Sequence, residues 1–113
     1  RECVSYVAWR LNNQGYGVKG FGGAGHAYQW PSTTSNYTTA KYGTSPSKGD
    51  AAVLGQYKGG ASWTGHVMYV EEVYGDGSIR VSEYNWNGYG TYSERTFTPS
   101  EYSVMTFLTF PKR

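Results

Sequence analysis

The feature that most constrains this chain is a turn sequence, Tyr-Gly-Asp-Gly at residues 74–77, set between two runs of apolar and β-branched residues. Gly and Asp tolerate the positive φ angles that hairpin turns need. The runs from His66 to Val73 and from Ser78 to Tyr84 are therefore predicted to be two antiparallel strands. This hairpin commits the centre of the chain to a β-sheet.

Further short runs extend the predicted sheet. Ala51 to Leu54 is an apolar run bounded by turn residues, and Tyr92 to Thr98 and Val104 to Phe110 also have strand character. The composition agrees, because 16 glycines, 12 tyrosines and only 16% charged residues favour short strands and turns over long surface helices. We predict a mostly antiparallel sheet.

One segment has helical spacing instead. From Cys3 to Asn13, apolar residues such as Val7 and Leu11 recur about one helical turn apart, so this segment is predicted to be a helix with one face on a core. The sequence thus predicts an α+β fold in which an N-terminal helix packs on the antiparallel sheet.

The segments between the helix and the sheet are predicted to be irregular. Residues 15–25 contain six glycines, too many for a regular element. Ala27 to Trp30 is predicted to form a turn of helix that ends at Pro31, and Ser32 to Ser47, rich in Ser, Thr and Tyr, is predicted to be a surface excursion.

The size and charge of the chain limit the classes of function. At 113 residues we expect a single domain over 1–113, too small for a cofactor domain plus a substrate domain, and we expect it to be excised from a longer protein. The net charge of +2 favours an anionic partner only weakly and does not indicate nucleic-acid binding. No apolar run approaches the roughly 18 residues of a membrane span.

The single cysteine, Cys3, lies where the predicted helix begins. The partly positive N–H groups of a helix N-terminus favour a thiolate, which is the nucleophilic form of cysteine, and the Cys3 N–H is a candidate oxyanion donor. The alternative is that Cys3 is a small buried apolar residue. Position alone does not decide between the two interpretations.

The register of the hairpin bears on a second group of residues. If residues 74–77 form a four-residue loop, Val73 pairs with Ser78 and Val70 pairs with Val81. A two-residue turn would shift the pairing by two positions and keep the same faces together. A slip of one residue would turn one strand over.

The four-residue loop brings polar residues to one end of the sheet. Met68 then pairs with Glu83, and Asn85 lies opposite His66, the first residue of its strand. A carboxylate or amide beside an imidazole fixes its tautomer, as in a nucleophile, base and orienter system. The alternative is a structural histidine with an edge carboxylate and a turn asparagine.

At this point the sequence resembles a known family, the cysteine, histidine-dependent amidohydrolase/peptidase or CHAP domains. The segments that carry the likeness are residues 2–9, residues 25–30, residues 46–50, and residues 65–67 together with 83–85. The resemblance implies a papain-like α+β fold and a role in cutting peptidoglycan. It also implies that Cys3 is the nucleophile, His66 the base, Glu83 its orienter and Asn85 a supporting polar group.

Four further residues are predicted to contact the substrate. Aromatic faces pack against the apolar patches of sugars, which suggests this role for Trp30, Tyr84 and Trp86. His26 stands where the family more often has asparagine, and it is predicted to touch substrate instead of serving as the base. The alternative for the aromatic residues is ordinary core packing.

The leading hypothesis is therefore a secreted or cell-wall-associated peptidoglycan hydrolase, an amidase or endopeptidase, acting as a monomer without a metal or cofactor. The main alternative is a non-catalytic wall-binding β module in which Cys3, His66 and Glu83 are incidental. A third is an intracellular thiol amidase or transferase on small amides, which would need a closed pocket.

Overall fold

The computed structural model describes residues 3–15, 25–84 and 90–112. Over these residues the fold is α+β, as predicted, with an N-terminal helix and one six-stranded sheet in which all pairings are antiparallel. The strands are β1 (Thr39–Tyr42), β2 (Ala51–Leu54), β3 (His66–Val73), β4 (Ile79–Tyr84), β5 (Tyr92–Phe97) and β6 (Thr106–Thr109). Their order across the sheet is β1-β6-β2-β3-β4-β5.

The helix α1 spans Cys3–Asn13, with the predicted bounds. Its buried side chains pack on one face of the sheet, where Val67 and Tyr69 of β3 belong to the same apolar cluster as Val7 and Leu11. The opposite face carries a second cluster that includes Met68 of β3. Because neighbouring residues of a strand point to opposite faces, the central strands are buried on both sides.

A short helix, α3 (Pro99–Tyr102), contributes to the second cluster and was not predicted. Thr98 caps it, since its hydroxyl accepts a hydrogen bond from the Glu101 N–H while the Glu101 carboxylate accepts one from the Thr98 N–H. Such a reciprocal cap with proline in the first turn is a recognised helix start, even for a single turn.

Two predictions between the helix and the sheet are wrong. The segment Ser32 to Ser47 is not all surface excursion, because it contains β1, which pairs with β6. The turn predicted to end at Pro31 instead runs on: a 3₁₀ turn, Ala27–Gln29, is followed by α2 (Trp30–Thr33), with Pro31 in its first turn. Proline is tolerated there because the N–H it lacks would have no helical partner.

The hairpin loop is one residue longer than predicted. Val73 pairs with Ile79, not with Ser78. Ser78 belongs to the turn, because its carbonyl accepts from the Tyr74 N–H and its own N–H and hydroxyl bind the Asp76 carboxylate at 2.9 and 2.6 Å. This one-residue difference by itself would turn Glu83 to the face opposite His66.

A β-bulge restores the predicted register. The pairing of β3 with β4 shifts by one residue between Val70 and Glu72. On the side of this shift away from the turn, Val70 pairs with Val81, which is the pairing predicted from a four-residue loop. The bulge absorbs the extra residue of the turn. Glu83 therefore lies on the face of the sheet that His66 shares.

The predicted glycine-rich loop falls mainly on residues 16–24, and Asn85 and Trp86 fall on residues 85–89, all outside the described residues. Their predicted roles stay predictions. In the part of the chain that is described, no helix has both the length and the apolar character needed to cross a membrane.

Candidate active site

The start of α1 meets the start of β3 at one end of the sheet. Cys3 is the first residue of the helix and is half-buried, and His66 is the first residue of the strand and is 5% exposed. The thiol is close enough to the imidazole to raise the pKa of His66. The helix packs on the face of β3 opposite to the one that carries the His66 side chain. Because His66 is at the end of the strand, its side chain and that of Cys3 can still meet.

The imidazole has a carboxylate on its other side. His66 Nε2 lies 2.7 Å from Oε1 of Glu83, whose side chain is fully buried. With Nε2 engaged by Glu83, Nδ1 is the ring nitrogen left for the thiol. The structure thus brings Cys3, His66 and Glu83 together, in the order expected of a nucleophile, a base and an orienting carboxylate.

The electrostatics of this chain favour charged groups. Burial lowers the pKa of His66, but its hydrogen bonds with Cys3 and Glu83 outweigh burial and raise the pKa above the ordinary value. Burial raises the pKa of Glu83, but hydrogen bonds from His66 and Arg95 prevail and lower it. The site is therefore suited to an ionised carboxylate beside an imidazole that gains a proton readily.

Glu83 has a second cationic neighbour, Arg95 of β5. Arg95 Nε donates to Oε2 at 2.6 Å, and Nη2 donates to Oε1 at 2.9 Å. This two-pronged contact offsets the cost of burying the carboxylate.

Gly65 sets the entry of the chain into β3. Its φ is +72°, and a Cβ there would lie 2.5 Å from the carbonyl oxygen of Leu54 and 3.0 Å from Tyr28. Any side chain at this position would displace backbone next to the imidazole. The residue before His66 is therefore glycine for reasons of both conformation and space.

A separate network holds α1 on the sheet. Arg10 of the helix forms a two-pronged ion pair with Glu71, the residue within the bulge, and the guanidinium lies 4.4 Å from the ring centroid of Tyr69. Ser82 donates to Glu71 at 2.6 Å and accepts from Tyr6 of the helix at 2.8 Å. Helix, bulge and β4 are thus joined on the face opposite Glu83.

The predicted substrate residue His26 is exposed and lies in an aromatic group beside the loop that leads to β3. Its ring stacks near Tyr28 and meets Trp63 edge-on, with centroids 5.0 Å apart in the second case. Trp63 is 52% exposed. His26 and Trp63 are open to solvent, so a substrate role for His26 remains a prediction that the geometry permits.

Tyr84 and Trp30 differ in accessibility. Tyr84 is half-buried between Tyr6 and Tyr92, with ring centroids 4.8 and 5.7 Å away. Trp30 is 1% exposed and packs edge-on against Phe110 inside the core. This burial argues against the predicted substrate contact, and we assign Trp30 to the core.

Sequence reasoning missed Arg95, Glu71 and Trp63. The period of two along β5 carried a partial signal, because Arg95 shares a face with the position that pairs with Glu83. The bulge at Glu71 had no sequence signal. Within residues 3–15, 25–84 and 90–112, no three His, Cys, Asp or Glu side chains are grouped as metal ligands.

Comparison with known proteins identifies the family. The family model described as the CHAP domain matches residues 1–85. The chain belongs to the CHAP domain family. The resemblance of the sequence to this family is thereby confirmed.

Relatives and solved structures agree with this family. An N-acetylmuramoyl-L-alanine amidase domain-containing protein of Staphylococcus aureus is 32% identical to this CHAP domain over 110 residues, which is 96% of this chain and 17% of the relative. The staphylococcal secretory antigen SsaA of Staphylococcus epidermidis is 38% identical over 110 residues, 95% of this chain and 38% of the relative. The chain therefore spans well under half the length of these relatives.

The fold comparison is equally direct. The crystal structure of an N-acetylmuramoyl-L-alanine amidase from Staphylococcus aureus superposes on the CHAP domain with a TM-score of 0.86 and 30% identity. The match covers 97% of this chain and 30% of that one. The predicted papain-like α+β fold is confirmed.

Proposed function

We propose that this CHAP domain is a cysteine-dependent peptidoglycan hydrolase that cleaves an amide bond. The observation that carries the proposal is the proximity of Cys3 to His66, whose imidazole is in turn bound to the buried Glu83. A wall-binding module has no need for a thiol, an imidazole and an ionised carboxylate in sequence. The names of the amidase relatives support the same reaction class.

In the proposed mechanism, His66 accepts the thiol proton and the Cys3 thiolate attacks the carbonyl carbon of the amide. The C–N bond breaks as the imidazolium gives its proton to the leaving amine, which leaves an acyl thioester on Cys3. Water, deprotonated by His66, then hydrolyses the thioester and restores the thiol. Glu83 stabilises the imidazolium in both half-reactions, and Asn85 is proposed to support it.

The proposed substrate is the peptidoglycan of a bacterial wall, and the amidase names favour the bond between muramic acid and L-alanine over a bond within the stem peptide. His26, Tyr84 and Trp86 are proposed to contact the polymer. Residues 1–113 are proposed to act as one monomeric catalytic domain in a secreted or wall-associated setting, which the name of the secretory antigen supports.

The test is a wall-clearing assay with Cys3→Ala and His66→Ala, supported by mass spectrometry of the fragments released from purified sacculi. We expect both variants to stay folded and to lose turnover by roughly 1000-fold or more, because each removes a reacting group. His26→Ala is the matched histidine control and should lose far less. Full hydrolysis by Cys3→Ala would exclude the cysteine mechanism, and fragments cut within the stem peptide would make the enzyme an endopeptidase.

A further inference from the structure

We propose that Arg95 is a positioning residue of this site, which aims the Glu83 carboxylate at His66 and maintains its charge. The inference rests on the proposed cysteine mechanism and deepens it. Its geometric basis is one shared oxygen: Glu83 Oε1 lies 2.7 Å from His66 Nε2 and 2.9 Å from Arg95 Nη2. The other oxygen, Oε2, is 2.6 Å from Arg95 Nε.

The two prongs fix the carboxylate in space. A planar guanidinium that binds both oxygens determines the plane of the carboxylate as well as its position. Glu83 has 0% exposure, so no bulk water competes for these contacts. The direction in which Oε1 faces His66 is therefore set from the neighbouring strand β5, and not by the rotamer of Glu83 alone.

Arg95 is itself held in place. Its guanidinium carbon lies 4.8 Å from the ring centroid of Phe97, and Nη2 lies 3.6 Å from the sulfur of Met68. Its side chain is only 24% exposed. Packing on both sides makes Arg95 a preformed support for the carboxylate.

The balance of charge gives Arg95 a second effect. The groups that face Glu83 are His66 from β3 and Arg95 from β5, and Cys3 from α1 lies beyond His66. When the thiol has given its proton to the imidazole, these four side chains carry two positive and two negative charges. Without Arg95, a buried group of net charge −1 would remain, and Glu83 would take up a proton instead.

This reasoning predicts the consequence for the thiol. A neutral Glu83 no longer stabilises the imidazolium, so the thiolate–imidazolium pair becomes less stable. Loss of Arg95 should therefore move formation of the reactive thiolate to higher pH. The effect reaches Cys3 through two intervening side chains, which distinguishes positioning from direct contact with substrate.

The test measures the rate of Cys3 alkylation by iodoacetamide against pH, with the intact chain and without peptidoglycan. We expect Arg95→Gln to raise the midpoint of this profile by about one pH unit or more. Arg95→Lys, which keeps the charge but not the fork, should give a smaller rise. An unchanged or lowered midpoint in Arg95→Gln overturns the inference. Should that variant fail to fold, Arg95→Lys carries the test, and a profile equal to that of the wild type overturns the inference.

Two further measurements separate this role from general stability. In the Glu83→Gln background, Arg95→Gln should cause no additional shift, because its proposed effect passes through Glu83; an additive shift would contradict the inference. Arg80→Gln is the matched control, since Arg80 pairs with Glu94 between the same two strands, β4 and β5, at 2.9 Å. Its profile should equal that of the wild type, and a shift as large as that of Arg95→Gln would overturn the inference.

The Cys3→Ala variant distinguishes the two levels of the proposal. Full hydrolysis by Cys3→Ala would remove the cysteine mechanism, and the inference about Arg95 with it. A loss of hydrolysis in Cys3→Ala together with an alkylation midpoint that Arg95→Gln does not change would overturn the inference about Arg95 alone.

Discussion

Two arginine–glutamate pairs of similar geometry lie on opposite faces of this sheet. Arg10 forms an ion pair with Glu71 on the face covered by α1, and Arg95 forms one with Glu83 on the other face. The side chains of the two arginines, Arg10 and Arg95, are almost equally exposed, at 20% and 24%. Those of the two glutamates, Glu71 and Glu83, are 15% and 0% exposed. What differs is the third partner of each carboxylate.

The third partners determine what each pair does. The third partner of Glu71 is Ser82, whose hydroxyl donates a hydrogen bond and keeps its proton throughout the ordinary pH range. The Arg10–Glu71 pair therefore only joins the helix to the bulge. Glu83 is completed by His66, which gains and loses a proton near neutral pH and contacts the thiol. An arginine–carboxylate pair therefore indicates chemistry only when an ionisable group shares its oxygens.

Among variants of the arginine–glutamate pairs, the largest effect should come from Glu83→Gln. We expect hydrolysis to fall by roughly 100-fold or more, because the imidazolium loses its charged partner. The pKa of His66 is raised by that partner, so the imidazolium persists to higher pH in the wild type. Without the carboxylate this pKa falls, and the alkaline limb of the pH–rate profile should move to lower pH. The profile is measured by release of soluble fragments from sacculi.

The equivalent variant of the other pair, Glu71→Gln, tests whether the two pairs have different roles. It should leave the alkaline limb in place and keep most of the turnover per folded molecule. If Glu71→Gln instead shifted the limb as Glu83→Gln does, the assignment of separate roles to the two pairs would be wrong.

The next effect is the loss of stability in Glu71→Gln. We expect the free energy of unfolding to fall by about 1–3 kcal/mol, because Arg10 and Ser82 lose a charged partner at a largely covered site. Denaturant titration measures this. Glu72→Gln is the matched control: Glu72 is the next residue, is 42% exposed and contacts Lys48 at only 3.7 Å, and it should leave the stability unchanged. Equal losses in the two variants would contradict the role of the network.

The pH dependence of stability tests the same pair. Burial raises the pKa of Glu71, but hydrogen bonds from Arg10 and Ser82 outweigh it and lower the pKa below its ordinary value of 4.5. The stabilisation is then complete above pH 4.5 and is lost as the pH falls through the lowered native pKa. Glu71→Gln should flatten this acid limb of the stability curve, and a curve as steep as that of the wild type would show that other carboxylates dominate.

The sequence predicted the elements of the site well because its signals are local. Helical spacing from Cys3 and alternation from His66 gave the starts of α1 and β3 correctly. The position of Glu83 was also predicted correctly, although by two compensating departures. The loop is one residue longer than its Tyr-Gly-Asp-Gly signature suggested, and the bulge at Glu71 removes the difference. The longer loop is held by contacts of Ser78 with Asp76 and Tyr74 inside the turn, whereas the bulge places Glu71 against Arg10 and Ser82 across the sheet.

The supporting residues were beyond the reach of sequence reasoning for a related reason. Arg95 contacts Glu83 across a strand pair whose connecting residues lie in part outside the described residues, and no short-range pattern predicted its register. Trp30 was predicted to contact substrate from its residue type and nearby motif, yet packing against Phe110 places it in the core. In both cases the role follows from tertiary contacts between distant segments.

The smallest effect is expected for the third arginine–glutamate pair, Arg80 with Glu94. This pair is exposed and therefore serves as a reference for the two covered pairs. It joins the same strands as Arg95 and Glu83, but its side chains are 36% and 41% exposed, so water and salt screen the attraction. Denaturant titration of Arg80→Gln should give the wild-type midpoint. If Arg80→Gln instead lowered the free energy of unfolding as much as Glu71→Gln, the connection that each ion pair makes between neighbouring elements would explain both decreases in stability. Burial of the carboxylate could then no longer be what separates the covered pairs from the exposed one.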